Sequence, residues 1–254
     1  MEPAEYRALA AVEAEHWWFR GLHRRVLVLL QQEARRLGRP LRIFDAGCGT
    51  GGLLRRLQGQ PWLAAAEGCD LNPLALELAR VQGLAVQPHS VNDLAGWPRR
   101  YDVVLSMDVL YHRDVEPLRA LAGMAGLLEP GGLLLLNVAA LPCLERHHDR
   151  RTMGARRFRP AELRRLADVA ALEVRDLRYW NSWLAPLLWL QARLERWLPS
   201  AREPAGASRG GSDLRPPPRW LNRSLQALLV AEARMTRWLP LPFGSSLFLV
   251  ARRR

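Results

Sequence analysis

Residues 43 to 54, IFDAGCGTGGLL, carry an apolar run into an aspartate and then straight into a glycine cluster. Gly47, Gly49 and Gly52 have the G-x-G-x-x-G spacing that lets a backbone come close to a nucleotide and open a helix beneath it. The glycines alone leave the ligand open, because the same residues also permit tight helix–strand packing. Asp45 narrows the choice. A carboxylate ending the strand repels a pyrophosphate resting on the next helix N-terminus and attracts a cation.

A nucleoside with positive charge and no phosphate is therefore expected, and S-adenosylmethionine answers that description with its ammonium and sulfonium. Its carboxylate can still accept backbone N–H groups from the glycine turn. Asp70, ending EGCD, stands where an acidic residue accepts hydrogen bonds from ribose hydroxyls. A P-loop is excluded, since no G-K-[ST] follows and the chain contains no lysine at all.

The flanking elements must hold this loop. LRIFDAG reads as strand 1, LAAAEGCDL as strand 2, LAVQPHS as strand 3, YDVVLSM as strand 4 and LLLLNVA as strand 5, the last after an EPGG turn. Helices starting at GGLLRRL, NPLALELARVQG and EPLRALAGMAGLL alternate with them over short connections, the pattern of a parallel sheet covered on both faces. RPAELRRLADVAA is helical, LEVRDLRYW is strand 6 and SSLFLVARR is strand 7. Before strand 1, two short helices are expected over residues 4 to 36, with a break at EHWWFRG around Gly21.

FDAGCGTGG, GCDLNPLALELAR, YDVVLSMDVLYH and LLEPGGLLLLNV occur in the order and at about the spacing of class I S-adenosylmethionine-dependent methyltransferases. The resemblance spans residues 41 to 140 and is nearest to the small-molecule branch that includes ubiquinone and menaquinone methyltransferases. It implies an α/β, Rossmann-like three-layer sandwich with a seven-stranded, mostly parallel sheet whose last strand is antiparallel. An N-terminal helical lid (1–40) precedes the cofactor-binding domain (41–180 and 244–254), and a helical insertion (181–243) precedes the last strand. Carried over by position, Asp45, Gly47, Cys48, Gly49, Thr50 and Gly51 wrap the methionine part, Asp70 holds the ribose and Leu71 lies beside the adenine. Ser90 and Val91 take the place of the strand-3 loop near the adenine ring, where the family often has an acidic residue. Met107 lies beneath the transferring methyl, or serves only as core filler. Trp17, Trp18 and Arg20 close over the cofactor, or the tryptophans simply pack on the sheet.

Methyl transfer from a sulfonium needs a general base only when the acceptor is a poorly acidic hydroxyl or carbon. His112, ending VLYH, and His147, His148 and Asp149 in ERHHDRR lie at the carboxyl edge, where such sheets bind ligands. A histidine beside an aspartate is one candidate for a tuned base, and a solvated loop is the plainer account. The acceptor is expected to be a small molecule or a lipid-linked one. The N/D-P-P-Y/F tetrapeptide of enzymes that methylate nucleic-acid amino groups is missing after strand 4.

The net charge of +12 over 254 residues is consistent with an anionic partner, or with a generally basic surface. Cys48, Cys69 and Cys143 lack C-x-x-C spacing and cannot pair completely, which argues for a cytoplasmic, reducing setting and against a zinc site. No basic-then-apolar leader opens the chain. SWLAPLLWLQARLERWL and WLNRSLQALLVAEARMTRWL read as helices with Trp and Leu on one side and Arg on the other. They suit an anionic membrane interface, a roof over the site, or a dimer seam. Two readings stand beside the small-molecule enzyme: an RNA methyltransferase, from the arginine excess, and a catalytically silent partner protein.

Overall fold

The computed structural model describes residues 3–145, 154, 156–197, 217–236 and 238–254. One sheet of seven strands runs through it: β1 (Leu41–Ala46), β2 (Leu63–Asp70), β3 (Ala85–Pro88), β4 (Tyr101–Met107), β5 (Leu128–Ala139), β6 (Leu172–Trp180) and β7 (Ser246–Arg253). Their spatial order is β3-β2-β1-β4-β5-β7-β6. The strands from β3 to β5 are parallel neighbours, and β7 slots antiparallel between β5 and β6. The order reverses between β1 and β4, so the crevice beyond their carboxyl ends is the topological switch point where α/β sheets bind ligands.

Both faces of the sheet are covered, which is why its central strands are continuously apolar. Leu134 and Leu136 pack into one core with α5 (Pro117–Leu127) and α6 (Pro160–Val169). Leu133 and Leu135 point to the other core, with α2 (Trp17–Leu37), α3 (Gly52–Leu57) and α4 (Pro73–Val81). Each such leucine contributes about 1.5–3 kcal/mol on burial. Asn72 caps α4 through its side-chain oxygen, 3.0 Å from the Ala75 N–H, with Pro73 in the first turn.

Two local expectations are corrected. The break between α1 (Pro3–Val12) and α2 falls before the tryptophans, not at Gly21, because the His16 ring accepts from the Trp18 N–H at 3.3 Å and caps the new helix. Gly21 lies inside α2. A Cβ there would sit 2.6 Å from Leu229 Cδ1 of α8 (Arg219–Met235), so the glycine serves close helix packing. EPGG does not precede the fifth strand but lies within it as an irregularity opposite β4, with Gly131 at φ +72°.

Between β6 and β7 lie α7 (Ala185–Trp197) and α8. Among the described residues no helix is long and apolar enough to cross a membrane. Glu33 of α2 ties the N-terminal helices to the last strand, with its oxygens 2.7 and 2.9 Å from the Arg252 guanidinium and 2.7 and 3.0 Å from Arg36. Burial alone would raise its pKa, but the hydrogen bonds and charges of the two arginines prevail and hold it down to about 2.

A folded-state pKa below the ordinary value means stability that is present above about pH 4.5 and lost as the pH falls toward 2. Glu33→Gln should lower the unfolding free energy by about 3 kcal/mol at neutral pH. Urea melts across that acid window should show the loss in the wild type and a flatter profile in the variant.

Candidate functional site

Asp45, Gly47, Cys48, Gly49, Thr50, Asp70, Leu71, Ser90, Val91, Met107, His112 and Trp17 all line one cavity of about 630 Å³ at the carboxyl edge of the sheet. That volume is ordinary for a small-molecule site. Two positions named from sequence are elsewhere. Arg20 is exposed on α2 and absent from the cavity wall, and Gly51 lies behind the loop, where a Cβ would meet Leu84 Cδ1 at 2.3 Å. His147, His148 and Asp149 lie outside the described residues.

The glycine loop is built for close approach. Gly47 has φ +84°, and a Cβ there would fall 2.4 Å from Val109 Cγ2. Its N–H and that of Cys48 donate to the Cys69 carbonyl at 2.9 and 2.8 Å, which pins the turn between β1 and α3 to the end of β2. Asp70 Oδ2 accepts the Gly49 N–H and Oδ1 the Asn72 N–H, both at 2.9 Å. A carboxylate offers about four lone-pair sites, so Asp70 shapes the loop and can still receive ligand hydroxyls.

Carboxylates dominate this end of the cavity. Asp45 is buried, and its pKa is pushed up to about 8 by burial first and then by the charges of Glu13 and Asp70. Glu13, which follows α1, reaches in from above. Its Oε2 accepts the Thr50 hydroxyl at 2.7 Å, and burial raises its pKa against bonds from Thr50 and the Gly52 N–H. His23 is kept neutral, its pKa lowered to about 3 by burial and then by Arg56. The seat is short of positive charge and suits a cationic ligand.

The other end of the cavity has apolar walls and scattered polar groups. Trp17, Trp18, Tyr111, Leu184 and Leu188 line it together with Asp108, Arg156, Arg157, Asn181 and Ser245. Asn181 is 4% exposed, and its side-chain oxygen has no partner among the described residues. Asp108 sits after β4 in the left-handed region at φ +61°, its N–H bonded to the Asn137 carbonyl at 2.9 Å. Asn137 Nδ2 donates to Asp108 Oδ1 at 2.8 Å, and Trp180 Nε1 donates to Asn137 Oδ1 at 2.7 Å. Trp18 donates its indole N–H to the same carboxylate and stacks on Trp180 with centroids 4.7 Å apart.

Sequence reasoning missed Glu13, Asp108, Asn137 and Asn181. One signal was available for Asp108: like Asp45 and Asp70, it is an acid at the end of an apolar strand. Asn137 is the polar residue inside LLLLNVA. Glu13 and Asn181 are brought to the cavity by tertiary packing and leave no such trace.

A methyltransferase-domain family model matches residues 15–184. A ubiquinone biosynthesis O-methyltransferase of Cereibacter sphaeroides is 35% identical over 159 residues, covering 53% of this chain and 63% of that protein. The match thus spans less than two thirds of that relative's length. The protein of the same name from Thiobacillus denitrificans is 30% identical over 190 residues, covering 65% of this chain and 81% of its own. Among solved structures, a magnesium protoporphyrin IX methyltransferase from Synechocystis, with S-adenosylmethionine bound, superposes with a TM-score of 0.51 at 14% identity. That superposition covers 92% of this chain and 80% of the other, and it speaks for the fold.

Gly47→Ala tests the loop. The left-handed φ and the Val109 clash together should cost about 2–5 kcal/mol in thermal or chemical unfolding. Adding Val109→Ala should recover the part due to overpacking, so a double-mutant cycle with no coupling would contradict this packing.

Proposed function

Because the chain belongs to the class I S-adenosylmethionine-dependent methyltransferase family, we propose that it transfers a methyl group from S-adenosylmethionine to a small or lipid-like acceptor. The observation that carries the cofactor reading is the carboxylate-rich seat, Asp45 flanked by Glu13 and Asp70 over the glycine loop. These residues fit a cationic nucleoside and are unsuited to a pyrophosphate. Asp45 and Glu13 face its positive groups, Gly47 and Gly49 allow the backbone to approach, and Asp70 receives the ribose hydroxyls. Leu71, Ser90 and Val91 flank the base. When bound, the cofactor supplies a methyl group activated by its sulfonium. The protein's part is to hold an acceptor in line and keep bulk water out, with Trp17 and Trp18 as the roof.

The relatives named above are O-methyltransferases of ubiquinone biosynthesis, which supports an apolar acceptor bearing a hydroxyl. The shape of α7 favours a lipid-like one. Leu184, just before the helix, and Leu188 within it line the cavity, while Trp183, Leu187, Leu190, Leu194 and Trp197 form an exposed stripe on the opposite side. Large apolar side chains at that spacing, on a chain of net charge +12, suit an anionic membrane surface beside the cavity mouth.

In calorimetry, S-adenosylmethionine should bind more tightly as the pH rises toward 8, with proton release below that value. The sign follows from Asp45: its raised pKa leaves it protonated at neutral pH without ligand, and a cation favours the carboxylate. Asp45→Asn should abolish the proton release, and Asp70→Ala should weaken binding by about 1.5–3 kcal/mol. Radiolabelled methyl should pass from cofactor to the small-molecule or lipid fraction of a host extract; label in RNA alone would favour RNA methylation instead. Anionic vesicles should float the protein at low salt, and Trp197→Ser with Leu194→Ser should release it. Absence of flotation removes the membrane part of the reading.

A further inference from the structure

Methylation of a hydroxyl leaves a proton to be placed. We infer that Asp108 is the general base for the acceptor, taking the proton of an aromatic or enolic hydroxyl as its oxygen is methylated. This deepens the function proposed above and rests on it.

The position is the first argument. Asp108 follows β4, the strand beside β1 at the switch point, and it lines the cavity between the glycine loop and the apolar end. Of the other cavity carboxylates, Glu13, Asp45 and Asp70 cluster about the glycine loop, and Asp114 lies farther along the loop beyond His112. The second argument is how Asp108 is held. Its backbone is fixed in a left-handed turn by the bond to Asn137, and its carboxylate accepts N–H groups from Asn137 Nδ2 and the Trp18 indole. Two bonds leave about two of the four lone-pair sites of a carboxylate for a ligand. Donors of that kind orient the group without neutralising it.

The third argument is chemical. Burial lifts the Asp108 pKa to about 6 against the bonds from Asn137 and Trp18 and the charge of Arg157. Arg157, before α6, is the charge that acts on it, and Arg156, Tyr111, His112, Asp114 and Asp45 are further charged or titratable groups lining the same cavity. A base in this range is ionised at neutral pH and still basic enough to accept a proton. The electrons balance. The O–H pair stays on oxygen while the proton goes to Asp108, an oxygen pair forms the bond to the methyl carbon, and the carbon–sulfur pair remains on sulfur. A sulfonium, a hydroxyl and a carboxylate become a thioether, a methyl ether and a carboxylic acid, with zero net charge on both sides. Asp108 then returns its proton to solvent.

Asp108→Asn is the decisive variant, because asparagine also tolerates the left-handed backbone. Cofactor affinity should stay within about twofold, while single-turnover labelling of the extract fraction that the wild type labels should fall about 100- to 10,000-fold. The wild-type rate should drop as the pH falls through about 6, and the variant's residual rate should lack that limb. Trp18→Phe keeps a ring on Trp180 but removes the N–H donor, so its limb should move to higher pH. Independently of turnover, the infrared carbonyl intensity gained by the cofactor-free wild type on acidification through about pH 6 should exceed that of Asp108→Asn by one carboxyl. Labelling at the wild-type rate by the variant, an unchanged acid limb, or an infrared difference of zero between the two proteins overturns the assignment and leaves methyl transfer standing. Failure of the wild type to label any fraction defeats the function itself, and this inference with it.

Discussion

Carboxylates gathered at one sheet edge with few cationic partners are costly to hold, and burial moves them toward the neutral form. Asp45 illustrates the cost, with its pKa near 8 under the influence of burial, Glu13 and Asp70. Elsewhere the protein treats buried carboxylates differently. Glu33 is clamped by Arg36 and Arg252, and Asp102 accepts two bonds from Arg39, at 2.6 and 3.0 Å, with the Arg42 N–H at 2.7 Å. Cations are not scarce in a chain with 37 basic residues against 25 acidic ones. No arginine offsets burial and the charges of Glu13 and Asp70 at Asp45, so the shortage of positive charge there is a property of the site.

The same constraint accounts for the roof. Negative charge is strongest in effect where bulk water is kept out, and Trp17, Trp18 and Leu22 of the N-terminal helices line that side of the cavity. They are anchored at several points. Trp18 stacks on Trp180, whose other neighbours include the Arg25 guanidinium, itself 4.3 Å from the Phe248 ring centre. The Trp17 N–H donates to Asn222 Oδ1 of α8 at 2.8 Å. Glu232 of α8 accepts the Ser182 N–H at 2.9 Å, just before α7. The helices between β6 and β7 are thus joined to the lid rather than hung from the sheet alone, and roof and acceptor wall form one packed unit.

This arrangement also separates two kinds of polar group in the cavity. Asp70 and Thr50 spend part of their bonding capacity on the loop itself. Asp108 is engaged with Asn137, buried behind the cavity wall, and the pair meets two indoles, so its geometry depends on how the N-terminal helices are seated. The glycine-loop end of the cavity follows from local loop structure, and the other end from long-range contacts.

That division explains what could be read in advance. Strands ending in Asp45 and Asp70, the glycine spacing and the alternation of apolar runs are local patterns. Backbone geometry turns such patterns into a parallel sheet with a glycine loop at its carboxyl edge, so the fold class, and the place of that loop on the cavity wall, were legible in the residues themselves. The start of α2 was misplaced because Gly21 looks like a break until the side chain of Leu229 is seen filling its space. Arg20 lies in the right segment but on the outer face of α2. Glu13, Asp108 with its indole partner, and Asn181 became site residues only when helices distant in sequence packed over the sheet edge. Their roles depend on burial and on distant partners, Thr50 for Glu13 at a separation of 37 residues and Ser245 for Asn181 at 64, and no local spacing encodes such distances.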